Sequence, residues 1–283
     1  MNPDHRLKSE LAYQAERAAR IAGHRPTPPH VLERYREARL GRLFPTDFVF
    51  AQLRDIRGRE VLDFGCGDGA LSVILARLGG RVTAVDISPE LIDVAQKRAT
   101  LEGVGDRIQF LVTDVTTSPL RADWFDAVVC NLVLHHVDLP SVLPRIVSAL
   151  KPGGTAVFVE PISLSPRLQR VRDLVPIDKR ASPGERPLSG EDVGLVLDQL
   201  ADPQTTYFNL LGRLRRLLPN RHKTDIGYPV TRGCLFLLYG IDRLLLTLSP
   251  RLRTWCGTVA VVGTKPTATQ HRGVEGLSRR GAA

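Results

Sequence analysis

Gly65, Gly67 and Gly69 stand at alternate positions in VLDFGCGDGALSVILA, residues 61–76, where a short apolar run of β type gives way to helical spacing. Glycine permits a tight turn there and lets backbone N–H groups come close to a ligand. The N-terminus of the helix that follows adds partial positive charge. Such a loop by itself fits many nucleotide sites. Asp63, just before the glycines, reads as lying inside the turn. A carboxylate there repels a pyrophosphate but suits an ammonium group. Asp86 follows Gly65 by 21 residues, at the place where an acidic side chain bonds a ribose diol.

Together these features describe a nucleoside ligand without phosphate and with a cationic tail, which is the chemistry of S-adenosylmethionine. Two further polar residues, Asp114 after IQFLV and Asn131 after FDAVVC, fall just beyond apolar runs of strand type. In an open α/β sheet a ligand lies over the carboxyl ends of the strands, so four polar groups converge on one crevice. Methyl transfer is an in-line displacement at a sulfonium carbon, and the protein supplies alignment and dryness. An oxygen or carbon nucleophile also has a proton to lose. His135 and His136 in LHHV are the candidate bases; the structural alternative packs one under the next helix and leaves the other in solvent. Glu160 is a second candidate, with a simple strand end at Pro161 as its alternative. Tyr13, His30 and Tyr35 reach the crevice only if the N-terminal segment folds over it.

The elements that must position these groups follow from periodicity. Strands are expected at Glu60–Phe64, Arg81–Asp86, Ile108–Val112, Phe125–Cys130 and Thr155–Val159, with helical stretches at 69–79, 89–102 and 139–150. Alternation of this kind signals βαβ units and a parallel sheet. Residues 113–124 are too short and too rich in Thr, Pro and Asp for a helix. Upstream, 7–22 and 30–43 have helical spacing and are parted by Pro26, Pro28 and Pro29. Downstream, Ser189 and Asp192 mark a capped helix start. Gln204–Leu211 and Thr258–Gly263 read as two more strands. Between them lies an insertion, 212–255, basic and then strongly apolar. Domain bounds are expected at 1–57 for an N-terminal helical lid and 58–266 for the ligand-binding domain, with a substrate cap at about 161–255 and a disordered tail over 267–283.

In order, VLDFGCGDG, VTAVDIS, FLVTD, FDAVVCNLVLHHV and LKPGGTAVFVEP resemble the class I S-adenosylmethionine-dependent methyltransferases, over about 58–161. The resemblance implies an α/β, Rossmann-like sheet of seven mostly parallel strands with helices on both faces, the last strand antiparallel and inserted between the fifth and sixth. GTVAVVGTKP, 257–266, looks like that strand. It further implies that Asp63, Gly65, Cys66 and Gly67 cradle the methionine end and that Asp86 holds the ribose. By the same resemblance Ile87 packs on the adenine, Asp114 bonds its amino group, Val115 offers an N–H to a ring nitrogen, and Asn131 lies near the methionine part. The flanking segments resemble a bacterial small-molecule subgroup only loosely and name no acceptor.

Composition bounds the rest. The chain has 283 residues, 43% of them hydrophobic, and a net charge of +9. That is enough to bury a core without disulfides or a structural metal. Four cysteines, at 66, 130, 234 and 256, form no CxxC pair and have no histidine cluster beside them. Reduced thiols, a cytoplasmic setting and no metal site are expected. The charge is uneven: residues 1–57 carry 11 basic and 7 acidic side chains, 58–160 carry 9 and 13, and 161–283 carry 19 and 10. Basic flanks suggest an anionic partner. Arg213, Arg215, Arg216, Arg221 and Lys223, with interleaved leucines, suggest a small amphipathic or anionic acceptor of polyketide, isoprenoid or lipid-like type. A nucleic-acid methyltransferase is the rival prompted by the charge. Aromatic content of 6%, and NLVLHH where base-flipping enzymes carry Pro-Pro-aromatic, speak against it. Sulfonium-dependent cyclisation on the same fold is a second rival. No transmembrane segment is expected, because 234–248 is short and contains Asp242 and Arg243.

Overall fold

Residues of alternate sides build the centre of the molecule. Along β1 (Glu60–Phe64), Leu62 and Phe64 pack into one hydrophobic cluster and Val61 into another, on the opposite face. This is the period of two that a strand covered on both faces requires. The structure, a computed structural model, describes residues 11–19, 26–38, 41, 43–165, 186–212 and 227–267. The remaining strands are β2 (Arg81–Asp86), β3 (Ile108–Val112), β4 (Phe125–Asn131), β5 (Leu150–Pro161), β6 (Ala201–Phe208) and β7 (Thr258–Thr264). They form one seven-stranded sheet in the order β3-β2-β1-β4-β5-β7-β6. β7 runs antiparallel to both neighbours, and the other pairings are parallel. The expected Rossmann-like sheet, with its last strand inserted between the fifth and sixth, is therefore present.

The helices are α1 (11–19), α2 (Pro29–Glu37), α3 (Pro45–Leu53), α4 (Ala70–Arg77), α5 (Pro89–Leu101), α6 (Leu139–Ala149), α7 (Gly190–Asp198) and α8 (Gly227–Leu248). α3, α4 and α5 cover one face, where Phe48, Phe50, Leu75 and Ile92 meet Val61, Val129 and Val157. α6 and α7 cover the other, where Leu143, Ile146 and Val196 meet Leu62, Val128 and Phe158. Ser189 and Asp192 form the reciprocal cap at the start of α7.

Several expected bounds shift, each for a local reason. α3 is not among the expected elements; Pro45 stands at its first helical position and starts it. α3 packs against β5 and β7, so this part of 1–57 is a layer of the core and not a cover over the crevice. The helix expected over 30–43 ends at Glu37, where Ala38 turns left-handed with φ 49°. β5 is longer than Thr155–Val159 because Leu150 pairs with Phe125 across an irregularity in the ladder. The strand expected at Gln204–Leu211 lies at Ala201–Phe208; Pro203 is tolerated because β6 is an edge strand whose register is broken between Ala201 and Gln204. Asn209 then leaves the strand with φ 63°. The Arg213–Lys223 cluster and the tail from 268 onward lie outside the described residues.

The N-terminal segment is tied to the core at Thr27. Its N–H and Oγ1 donate to Glu102 Oε1 at 2.5 and 2.6 Å, and Arg77 bonds the other oxygen of Glu102 at 2.7 Å. From this tether α1 lies against α5, with Ala18 packed on Leu91 and Val94. α2 is held to α3 by Arg34, which grips the buried Asp47 through two bonds of 2.6 Å.

Candidate active site

Strand register brings the predicted polar groups to one edge. Phe64 pairs with Val85 and with Cys130, and Asp86 pairs with Val112, so Gly65, Asp86, Thr113 and Asn131 stand side by side where the strands end. The loops leave in step. Gly65 and Cys66 N–H donate to the Val85 carbonyl at 2.8 and 3.0 Å, Thr113 N–H to Asp86 at 3.0 Å, and Leu132 N–H to Val159 at 2.8 Å. β1 and β4 are neighbours from which the chain winds outward in opposite directions, which opens a crevice above them.

Gly65 is demanded by both backbone and space. Its φ is +69°, and a Cβ there would lie 2.2 Å from Val133 Cγ2. Gly67 differs. Its φ is +54°, and the nearest atoms to a Cβ would be the guanidinium nitrogens of Arg17, 3.8 and 3.9 Å away. α1 thus lays a cation over the glycine loop. The sequence reading missed Arg17, because nothing in its local pattern links α1 to a loop 50 residues on.

Asp86 is half-buried and doubly held. Oδ2 accepts from Gly67 N–H at 2.8 Å and Oδ1 from Ser88 N–H at 3.0 Å. Burial pushes its carboxyl up, while the two N–H groups and Arg17 pull it down. Ile87 beside it is half-buried. Asp114 Oδ1 accepts from the N–H and hydroxyl of Thr116 at 2.8 and 2.7 Å, a turn that shapes the loop carrying the buried Val115.

Asp63 is a correction. It is the penultimate residue of β1, not part of the turn, and only 1% exposed. Alternation points it toward α4, where Ser72 Oγ donates to Oδ2 at 2.5 Å. Burial pushes its carboxyl up to about 7, with the Asp86 and Asp68 charges acting in the same direction and the Ser72 bond against them. It lies beneath the loop as a charge near its titration point. Cys66 is also buried, and its thiol is pushed well above the usual range by desolvation, then by Asp63. All four cysteines are free.

The histidines separate. His135 is buried, with Nδ1 2.7 Å from Glu160 Oε2. Oε1 of Glu160 accepts from Val133 N–H at 2.9 Å and Leu134 N–H at 2.8 Å. Glu160, 1% exposed at the end of β5, therefore anchors the whole turn after β4. His136 is half-buried, and its ring lies 4.0 Å from that of His135 between centroids. Of the upstream aromatics, Tyr35 stacks on Phe50 at 4.4 Å and His30 is exposed on α2. Tyr13 is half-buried on α1. Among the described residues no group of three or more His, Cys, Asp or Glu side chains could hold a metal, and no helix is long and apolar enough to cross a membrane.

Sheet order, glycine loop and the acidic residue ending β2 define the fold of the class I S-adenosylmethionine-dependent methyltransferases. Within it, residues 62–158 match the family profile described as Methyltransferase domain, so this segment is a methyltransferase domain. The mitochondrial ubiquinone biosynthesis O-methyltransferase of Schizosaccharomyces pombe is 42% identical over 112 residues, covering 39% of this chain and 40% of that protein. Ubiquinone biosynthesis O-methyltransferase of Xanthomonas oryzae pv. oryzae is 40% identical over 124 residues, 42% and 49% of the two chains. The chain thus spans less than half the length of these curated relatives. Among solved structures, geranyl diphosphate C-methyltransferase of Streptomyces coelicolor A3(2), bound to its diphosphate and S-adenosyl-L-homocysteine, aligns with TM-score 0.55 and 18% identity over 79% of this chain and 77% of that one. The 4+2 cyclase SpnF aligns with TM-score 0.54 and 20% identity over 79% and 81%. These structural likenesses carry the fold.

Proposed function

We propose that this protein transfers a methyl group from S-adenosylmethionine to an oxygen or carbon nucleophile of a small, amphipathic or anionic, lipid-like metabolite. The observation that carries the cofactor half is Asp86. It is pinned by Gly67 and Ser88 N–H at the crevice edge, with lone pairs left for two ribose hydroxyls. Gly65, Cys66 and Gly67 supply the backbone for the methionine end, and Arg17 the cation for its carboxylate. Ile87, Asp114 and Val115 form the adenine side, and Asn131 borders the sulfonium. The bound cofactor would supply the electrophilic methyl and its own leaving group.

α1, with Tyr13 and Arg17, covers that end as a lid. His136 is the group at the rim that takes the acceptor's proton, and His135, fixed by Glu160, holds its ring in place. The acceptor class is supported by the relatives named for ubiquinone biosynthesis and geranyl diphosphate, and by the basic, leucine-rich C-terminal part of the chain.

The test is transfer of labelled methyl from the cofactor into fractionated metabolite extract, read by mass. A product heavier by one CH₂ supports the reading; an isomerised product supports the second reading, cyclisation, which the likeness to the cyclase keeps open. His136→Ala should lower turnover by about 10²–10⁴-fold with cofactor affinity unchanged, and near-normal turnover would remove His136 from the mechanism.

Asp63 adds a pH signature. A carboxyl raised to about 7 means the folded protein holds a proton that the unfolded chain releases near its ordinary value. The stability that Asp63 contributes is therefore fully present below about pH 4 and is lost as pH rises through the folded value. A cation bound over the loop favours the ionised form. Cofactor affinity should rise between about pH 6 and pH 7.5, where the ligand's own ammonium remains charged, and binding should release protons. Calorimetry in buffers of different ionisation enthalpy measures that release, and Asp63→Asn should abolish it.

A further inference from the structure

Helix α8 is apolar on two opposite sides. Tyr239, Asp242 and Leu246 are buried against the rest of the molecule. Asp242 accepts from Leu211 N–H at 2.7 Å and Gly212 N–H at 3.2 Å, and Tyr239 OH donates to Asn209 at 2.9 Å. These bonds fix the rotation of the helix. On the side turned away stand Leu237, Ile241, Leu244 and Leu248, exposed by 66, 37, 59 and 72%. Their spacing of four, three and four places them in one narrow line. A surface helix normally turns charges outward, and a helix apolar all round is covered by something.

The charge around the line selects what covers it. From 227 to 267 the only acidic residue is Asp242, and it is buried. Arg243 on the helix, and Arg251 and Arg253 in the turn Pro250–Trp255 that packs back on it, are exposed. Trp255 in the same turn is 48% exposed. A second copy of this chain would bring like charges together, and four side chains fall far short of the roughly 20–30 residues a side of a stable dimer. An anionic bilayer meets both conditions: leucines enter the acyl boundary, and arginines reach the headgroups.

We propose that the outer face of α8 docks this protein reversibly on an anionic lipid surface. This goes beyond the methyl-transfer reading and does not depend on it. Neither half suffices alone, because stable peripheral binding takes an apolar and an electrostatic signal together.

The experiment is flotation of the full chain with vesicles of equal parts phosphatidylglycerol and phosphatidylcholine, and with phosphatidylcholine alone. Binding is expected to the first and not the second, and to weaken with salt. Each of Arg243→Gln and Arg251→Gln should weaken it about fivefold. The triple variant Leu237→Ser, Leu244→Ser, Leu248→Ser should abolish it while leaving circular dichroism and cofactor binding intact, since those side chains support no core. Absence of flotation, or equal binding to both vesicles, overturns the proposal. So does a dimer in sedimentation that the triple variant dissolves, which would make the stripe a protein interface. Cofactor calorimetry on the same samples keeps any failure here distinct from failure of the methyl-transfer reading.

Discussion

Asp86→Ala should raise the dissociation constant for S-adenosylmethionine by about 10²–10⁴-fold with little change in the stability of the ligand-free protein. A hydrogen bond from a ligand hydroxyl to a charged carboxylate contributes about 1.5–3 kcal/mol, and a ribose presents two such hydroxyls. The same side chain also holds Gly67 N–H at 2.8 Å, so its removal loosens the loop that receives the methionine end. The ligand-free protein loses little, because Asp86 is only half-buried and water can replace it as acceptor for the Gly67 and Ser88 N–H groups. Asp86→Asn should fall between: a single amide oxygen replaces two acceptors. Calorimetry measures the affinity directly. Thermal melts give an independent reading, because a ligand that binds only the folded state raises the midpoint by mass action. That rise should be present in the unaltered protein and missing in Asp86→Ala. Binding retained within a few-fold would place the cofactor elsewhere and remove the central support of the proposed function.

Glu160→Ala should be the most damaging change to stability. Glu160 is 1% exposed and accepts three bonds, from Val133 N–H, Leu134 N–H and the His135 ring. Removing it takes the acceptor from two backbone N–H groups and from Nδ1 of the buried His135 ring. Breaking a buried pair from one side costs about 3–5 kcal/mol, which for a chain of this size lowers the melting midpoint by roughly 10 °C. Glu160→Gln separates folding from chemistry. Its carbonyl still accepts both N–H groups, but its NH₂ donates to His135 Nδ1 and forces the other tautomer. Stability should recover to within about 1–2 kcal/mol, while turnover stays depressed and its pH profile shifts. If Gln restores turnover fully, Glu160 only braces the turn, and the His135–His136 pair loses its place in proton transfer.

The βαβ core was legible because each layer repeats a local rule. Strands covered on both faces read as apolar runs, and glycines mark the turn where a ligand meets backbone. An acidic residue 21 positions after Gly65 marks the second strand end. Parallel strands of one sheet all end at the same edge, so of the four polar groups assigned there Asp86, Asp114 and Asn131 follow from their places at strand ends, whereas Asp63 lies one residue too early and is buried. Pro45 at the start of α3 and Pro203 on the edge strand β6 show that proline's meaning depends on position, which no short window reports.

What the amino-acid order determined by itself is the sheet, its doubly covered faces and the residues at its ligand edge, since these follow from periodicity and backbone conformation within short windows. Only the tertiary structure decided that Asp63 lies beneath the loop on Ser72, that Glu160 grips the turn bearing His135, and that Arg17 caps Gly67 from a distant helix. It also decided that one face of α8 is left bare. Those outcomes depend on which side chain a packed neighbour meets 9 to 50 residues away along the chain, and burial and hydrogen-bond partners of that kind leave no trace in local pattern.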